Sequence, residues 1–249
     1  MSVLHMRRVL AVDFDGVICD SLTESLLVSW NAHSGAPVKA FAHPGLAGVP
    51  PDVADRFTRC RPFARHFGHW LVPLVIDAAP SSHAEFGARY DELPAAQIEA
   101  FTAAAGRYRA QVRCVYPERW LAHHRVQLGL GNALANAYVV TARDTDSVRQ
   151  ILHAHAIPID DERIFGSSSD KNVALRAIAI REAVEPPAVT LVDDNVENCV
   201  AARTAGYSAW WATWGYNSAG DRALATGYGI KAISIDMLRR PLAASAKGR

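Results

Sequence analysis

The stretch "VLAVDFDGVICDS", residues Val9–Ser21, decides how the rest of the chain is read. Four apolar residues lead into Asp13, Phe14, Asp15 and Gly16. A short apolar run that stops at Asp and Gly, here Val9 to Phe14, has the pattern of a strand buried on both faces. Strands of that kind make parallel sheets, and ligands of open parallel sheets bind beyond the carboxyl ends of the strands. The carboxyl end of this strand presents two carboxylates, Asp13 and Asp15.

The same kind of run returns from Ala137. It appears as "AYVVT" (Ala137–Thr141), "RIFG" from Arg163, "AVTLVDD" (Ala188–Asp194), "SAWWA" from Ser208 and "KAISI" from Lys231. Helical patterns alternate with these runs. "DTDSVRQILHAHAI" has Asp144 or Thr145 as its cap and sets Val148, Ile151, Leu152 and His155 on one face. "DKNVALRAIAIREAV" is capped at Asp170, and "NVENCVAARTAGY" at Asn195 with Gly206 just past its end. Strands alternating with helices of this length predict an α/β fold, a parallel sheet with helices on both faces.

Between Ser21 and about residue 125 the alternation stops and the periods are helical. "ELPAAQIEAFTAAAGRYRAQV" starts at Pro94, and "PDVADRFTRCRPFARHFGHWL" is a second helical segment, interrupted at Pro62. The simplest organisation is a core of residues 1–20 and 126–249 with a mainly α-helical domain, residues 21–125, inserted after the first strand. The tail from about Ala243 reads as disordered.

Composition narrows the function classes. Of 249 residues half are hydrophobic and a fifth are charged, and the formal net charge is +1. That balance argues against nucleic-acid or membrane-surface partners. The longest apolar run, "WLVPLVIDAA" from Trp70, is far shorter than the ~20 residues of a membrane span. No signal peptide is read at the start, and Cys19, Cys60, Cys114 and Cys199 form no C-x-x-C pair, so the expectation is a cytoplasmic protein with reduced thiols. None of the ten histidines joins cysteines or carboxylates at zinc spacing. In the inserted domain Arg56, Arg59, Arg61 and Arg65 alternate with Asp52 and Asp55 and read as a solvated helix face.

The strand ends collect a definite inventory. The first ends in Asp13 and Asp15, the next in Thr141, Ala142 and Arg143, and a later one in Asp193 and Asp194; Lys171 opens a helix after "GSSSD". Carboxylates crowded at one point repel unless a cation neutralises them. An all-oxygen site of few carboxylates suits Mg²⁺, which also binds substrate phosphate. Lysine at a helix N-terminus and a threonine hydroxyl suit the anionic side of such a ligand. Asp13 is then the candidate nucleophile, forming an aspartyl-phosphate, with Asp15 protonating the leaving oxygen and deprotonating the attacking water. The phosphoryl group is expected against Gly16, Thr141, Ala142, Arg143 and Lys171, although Arg143 reads equally as a solvated side chain.

At these residues the chain resembles the haloacid dehalogenase superfamily of phosphatases. Its first motif appears as "DFDGV", its second as "VVTAR", its third as "SDKN" and its fourth as "LVDDNVEN", in the family's order. The resemblance implies a Rossmann-like core with Mg²⁺ held by Asp13, the backbone carbonyl of Asp15 and the Asp193/Asp194 pair. Which of that pair touches the metal stays open, because Asn198 stands where the family often has a second aspartate. The insert resembles the helical cap of phosphoglycolate-phosphatase-like members, and "TWGYN" near Trp214 is similar to theirs. A cap that selects substrate implies a small phosphorylated metabolite. Asp15 argues against dehalogenase chemistry, whose halide leaving group needs no proton. The β-phosphoglucomutase branch carries a histidine where this chain has Ser25, which argues against a mutase. A phospho-acceptor receiver would place its acidic pair first and its acceptor on a later strand, with no insert.

Overall fold

The computed structural model describes residues 8–42, 45–46, 48–127, 129–130 and 134–239. The tail expectation from Ala243 lies outside the described residues. The chain divides into two compact units, one of residues 1–20 and 126–249 and the other of residues 21–125.

The first unit is built on a six-stranded sheet. Its strands are β1 (Val9–Val12), β4 (Tyr138–Val140), β5 (Ile164–Phe165), β6 (Val189–Asp193), β7 (Ser208–Ala212) and β8 (Lys231–Ile233). The short strands β2 (Cys19–Asp20) and β3 (Arg125–Val126) lie where the chain leaves and re-enters this unit. The sheet order is β5-β4-β1-β6-β7-β8, and all five pairings are parallel. Numbered in chain order within the sheet, the strands run 3-2-1-4-5-6, which reverses direction at β1 and opens a crevice beyond the carboxyl ends of β1 and its neighbours.

Burial explains the apolar runs. All four residues of β1 and all five of β6 are buried, as central strands covered on both faces require. One face packs Val9, Ala11, Tyr138, Val140, Val189 and Leu191 under the helices Lys171–Arg181 and Val196–Thr204, through Leu175, Ile178, Val196 and Cys199. The opposite face carries Leu10, Val12, Val139 and Val192, all buried, and the helix Thr145–Ala154 buries Val148, Ile151 and Leu152. The caps are side-chain caps: Asp144 accepts from Ser147 N–H, Asp170 from Asn172 N–H, and Asn195 from Glu197 and Asn198 N–H.

Several expectations change in detail. Strand β1 stops at Val12, because Asp13 and the residues after it enter a tight turn in which Ile18 and Cys19 N–H donate to the Phe14 carbonyl. The run "KAISI" is strand only to Ile233 and gives way to the helix Ile235–Arg239. His155 does not share the buried face of its helix: the helix ends at Ala154, and His155 is exposed as its C-cap.

The second unit is helical. Its longest helix, Ala95–Val115, starts directly after Pro94 and packs on Leu22–His33. Helix Pro51–Cys60 ends where Pro62 enters, giving way to a 3₁₀ turn at Arg61–Phe63. Arg61 is not on a solvated face: it is buried, with Nη1 donating to the Ala64 carbonyl, while Arg56 and Arg59 pair with Asp52 and Asp55 one turn away. The core of this unit holds a buried ion pair. Glu24 accepts from Arg109 at 2.7 and 3.0 Å and from Trp120 Nε1 at 3.1 Å, and Arg109 stacks over the Phe67 ring at 4.2 Å. Such a cluster persists only because each charge is both paired and hydrogen-bonded.

Among the described residues, no helix is long and apolar enough to cross a membrane.

Candidate active site

The sheet register brings the motif residues to neighbouring positions at the carboxyl edge. Val12 pairs with Val139 on one side and Val192 on the other, and Asp13 N–H donates to the Val192 carbonyl at 2.8 Å. Thr141 N–H donates to the Phe165 carbonyl at 3.0 Å. Asp13 and Asp193 therefore leave adjacent strands at one height, and Thr141 leaves the strand on the other side one residue further along. Lys171 joins them from the first turn of its helix.

Lys171 Nζ lies 2.9 Å from Asp13 Oδ1 and 2.6 Å from Asp193 Oδ2. It is buried with both partners. Burial alone would lower its pKa, but the two carboxylates outweigh that and raise it, so the ammonium stays charged. Asp13 is pushed up to about 7, first by burial, against the pull of Lys171, with Asp193 and Asp15 adding repulsion. A lysine in the first turn opposes the helix dipole, and the two carboxylates it faces account for that placement.

The acidic pair at the end of β6 divides its work. Asp193 Oδ1 accepts from Asn195 N–H at 2.9 Å, and Oδ2 accepts from Lys171 and from Asn198 Nδ2 at 3.1 Å. Asp193 and Asn198 thus make one arrangement that holds Lys171. Asp194 Oδ2 accepts from Tyr216 N–H at 2.6 Å and lies against Gly16. Gly16 has φ +88°, and a Cβ there would stand 1.9 Å from Asp194 Oδ2. Only glycine allows this approach. Tyr216 also donates from its hydroxyl to Asp20 Oδ1 at 2.7 Å, and Trp214 Nε1 donates to the Val17 carbonyl at 3.1 Å. The "TWGYN" loop therefore straps the turn after β1 to the acidic pair. That strap was visible in the sequence only as a resemblance, since no local pattern foretells a backbone N–H aimed at a carboxylate 22 positions away.

Asp13, Asp193 and Asp194 can each offer a carboxylate oxygen, all within 4.8 Å of one another and all buried. Three carboxylates facing one ammonium leave the cluster with excess negative charge, and their hard oxygen donors fit a hard divalent cation. The Asp15 carboxylate points elsewhere: Arg143 grips it with Nε at 3.0 and 3.1 Å and Nη2 at 2.9 Å. Arg143 is buried, so its reading as a solvated side chain is overturned. Thr141 Oγ1 accepts from Arg143 N–H at 3.2 Å and so keeps its own hydrogen to donate. Cys199 sits beneath the site, but burial, reinforced by Asp193, pushes its thiol well above the ordinary range, which removes it as a rival nucleophile.

Comparison with solved structures decides the fold. The chain matches a haloacid dehalogenase-like hydrolase from Bacteroides fragilis with a TM-score of 0.63 at 15% identity, covering 92% of this chain and 97% of that one. The fold is that of the haloacid dehalogenase-like hydrolases. A predicted phosphatase from Clostridium acetobutylicum matches with a TM-score of 0.59 at 16% identity, covering 94% and 97% of the two chains. A predicted phosphoglycolate phosphatase from Haemophilus somnus matches at 0.53 and 18% identity, covering 87% and 89%. No protein-family model and no curated protein matches the sequence. Coverage of this extent takes in the helical unit as well as the sheet, so the insert is part of the shared architecture.

Proposed function

We propose that the chain is a Mg²⁺-dependent phosphatase that hydrolyses a small phosphorylated metabolite through an aspartyl-phosphate on Asp13. The observation that carries this reading is the position of Asp13. It directly follows β1 at the crevice, beside Lys171, within metal-binding reach of Asp193 and Asp194, and one residue short of the height of Thr141. A carboxylate so placed can attack phosphorus while the neighbouring groups offset charge on the phosphoryl oxygens.

Asp13, Asp194 and the Asp15 backbone carbonyl would hold the metal, with Asp193 committed mainly to Lys171. The bound ion would supply charge neutralisation on the phosphoryl oxygens. In the first half-reaction an Asp13 oxygen attacks phosphorus, the phosphorus–leaving-oxygen bond breaks, and Asp15 gives that oxygen a proton. In the second, water attacks phosphorus and gives its proton to Asp15, the phosphorus–Asp13 bond breaks, and phosphate leaves. Thr141 donates to one phosphoryl oxygen, and Lys171 holds another. Residues 21–125 serve as the cap that selects the metabolite.

The test is phosphate release from a panel of phosphorylated metabolites, with Mg²⁺ and with EDTA, by wild type and Asp13→Asn side by side. Release that needs both the metal and Asp13 is expected. Release that persists in Asp13→Asn would overturn the nucleophile, and transfer of phosphate between substrate positions without release would make the chain a mutase.

A further inference from the structure

Arg143 is a strongly anchored charge near the site that the two half-reactions leave without a task. Its side chain is fully buried and spends Nε and Nη2 on the Asp15 carboxylate, 128 positions away in sequence. Its backbone is fixed on both sides: N–H donates to Thr141 Oγ1, and the carbonyl accepts from Ser167 N–H at 2.8 Å. The next residue, Asp144, caps the following helix. The guanidinium also lies 5.9 Å from the ring centre of Phe14, the residue between the two aspartates in sequence. A rigid, bidentate fork built into the second strand's end is a device for aiming a carboxylate, which a lysine's single point charge would do poorly.

We propose that Arg143 is a positioning residue: it fixes the Asp15 carboxylate at the leaving-oxygen side of Asp13 and contacts no substrate itself. The inference rests on the phosphatase reading above, in which Asp15 is the acid and base. Arg143 then acts only through Asp15, so within the first half-reaction its loss should be felt only when the leaving oxygen needs a proton. Misplacing a reacting group by about an ångström slows a reaction by roughly 10²-fold.

The experiment measures single-turnover release of two leaving groups with Mg²⁺ present. Glycerol 2-phosphate releases an alkoxide that must be protonated, whereas 4-nitrophenyl phosphate releases a phenolate that need not be. Arg143→Ala, checked for a native circular-dichroism spectrum, should slow glycerol release by about 10²-fold and leave nitrophenolate release at the wild-type rate, with KM unchanged for both. Arg143→Lys, which keeps the buried charge should the alanine variant not fold, should show the same selectivity to a smaller degree. In an Asp15→Asn background either change should add nothing, because the interaction it removes is already gone. Equal slowing on both substrates, a loss that persists beside Asp15→Asn, a rise in KM alone or no change at all would each overturn the positioning role. If wild-type release does not depend on Asp13, the phosphatase reading itself fails; if it does and Arg143→Ala behaves as wild type, only the role of Arg143 fails.

Discussion

Replacing Gly16 by alanine probes the turn on which the site depends. Two penalties can be separated. The backbone at φ +88° is left-handed, which costs an L-residue about 1–2 kcal/mol. The new Cβ would also stand 1.9 Å from Asp194 Oδ2 and 2.8 Å from Tyr216 Cδ2, where ordinary contact begins at 3.4 Å. The carboxylate would have to retreat by about 1.5 Å, out of the 2.6 Å bond from Tyr216 N–H. Overpacking of this kind costs typically 1–3 kcal/mol, so the total is about 2–5 kcal/mol. For a chain of this size that lowers Tm by roughly 4–20 °C. Gly206→Ala is the control, since φ there is +90° and nothing lies within 4 Å of the added Cβ. Thermal melts in EDTA should show Gly206→Ala losing only the backbone share, and Gly16→Ala losing clearly more. Phosphate release titrated with Mg²⁺ should show Gly16→Ala needing more metal and turning over about 10²-fold slower. If Gly16→Ala melted with the Gly206→Ala control and kept the wild-type Mg²⁺ dependence, the packing of Gly16 on Asp194 would have no part in the site.

Three further outcomes follow from the charges and thiols. Asp13 titrates at about 7 in the folded protein, above its usual 3.8, so its protonated form is favoured by folding and its contribution to stability falls as pH rises from about 4 to 7. In EDTA, Asp13→Asn should therefore melt above wild type at pH 8, with the gap closing towards pH 4; melts at the two pH values check it. Arg109→Met leaves Glu24 buried without its guanidinium and should destabilise by about 3–5 kcal/mol, whereas Arg109→Met with Glu24→Leu should lose less, as urea unfolding would measure. Cys114 is exposed while Cys19, Cys60 and Cys199 are buried, and burial pushes the Cys60 thiol up to about 12, so a thiol reagent should titrate one cysteine quickly in the native state and four in denaturant.

The parallel sheet was legible because its central strands are covered on both faces and read as unbroken apolar runs, which tertiary packing then reinforces. Helix starts were legible for a local reason: Asp144, Asp170 and Asn195 cap N–H groups two or three residues on. Helix ends were less so, and His155 was misplaced because its helix stops one residue earlier than the period suggests. Within the site, residue types at strand ends were readable, but their partners were not. The grip of Arg143 on Asp15 and the division of labour between Asp193 and Asp194 depend on contacts made by sheet order, not by neighbourhood in sequence. Arg61 shows the same limit in the helical unit. Its alternation with acids suggested solvent, yet the turn at Pro62 folds it inward.

The most direct measurement is to acid-quench the enzyme during turnover of its preferred phosphorylated substrate and locate the phosphoryl group by peptide mass spectrometry, in wild type and in Asp15→Asn. The phosphoryl group should sit on Asp13, and with 4-nitrophenyl phosphate, whose leaving group needs no proton, it should accumulate in Asp15→Asn, where water attack lacks its base. A phosphoryl group on any other residue, or turnover by Asp13→Asn at the wild-type rate, would contradict the mechanism.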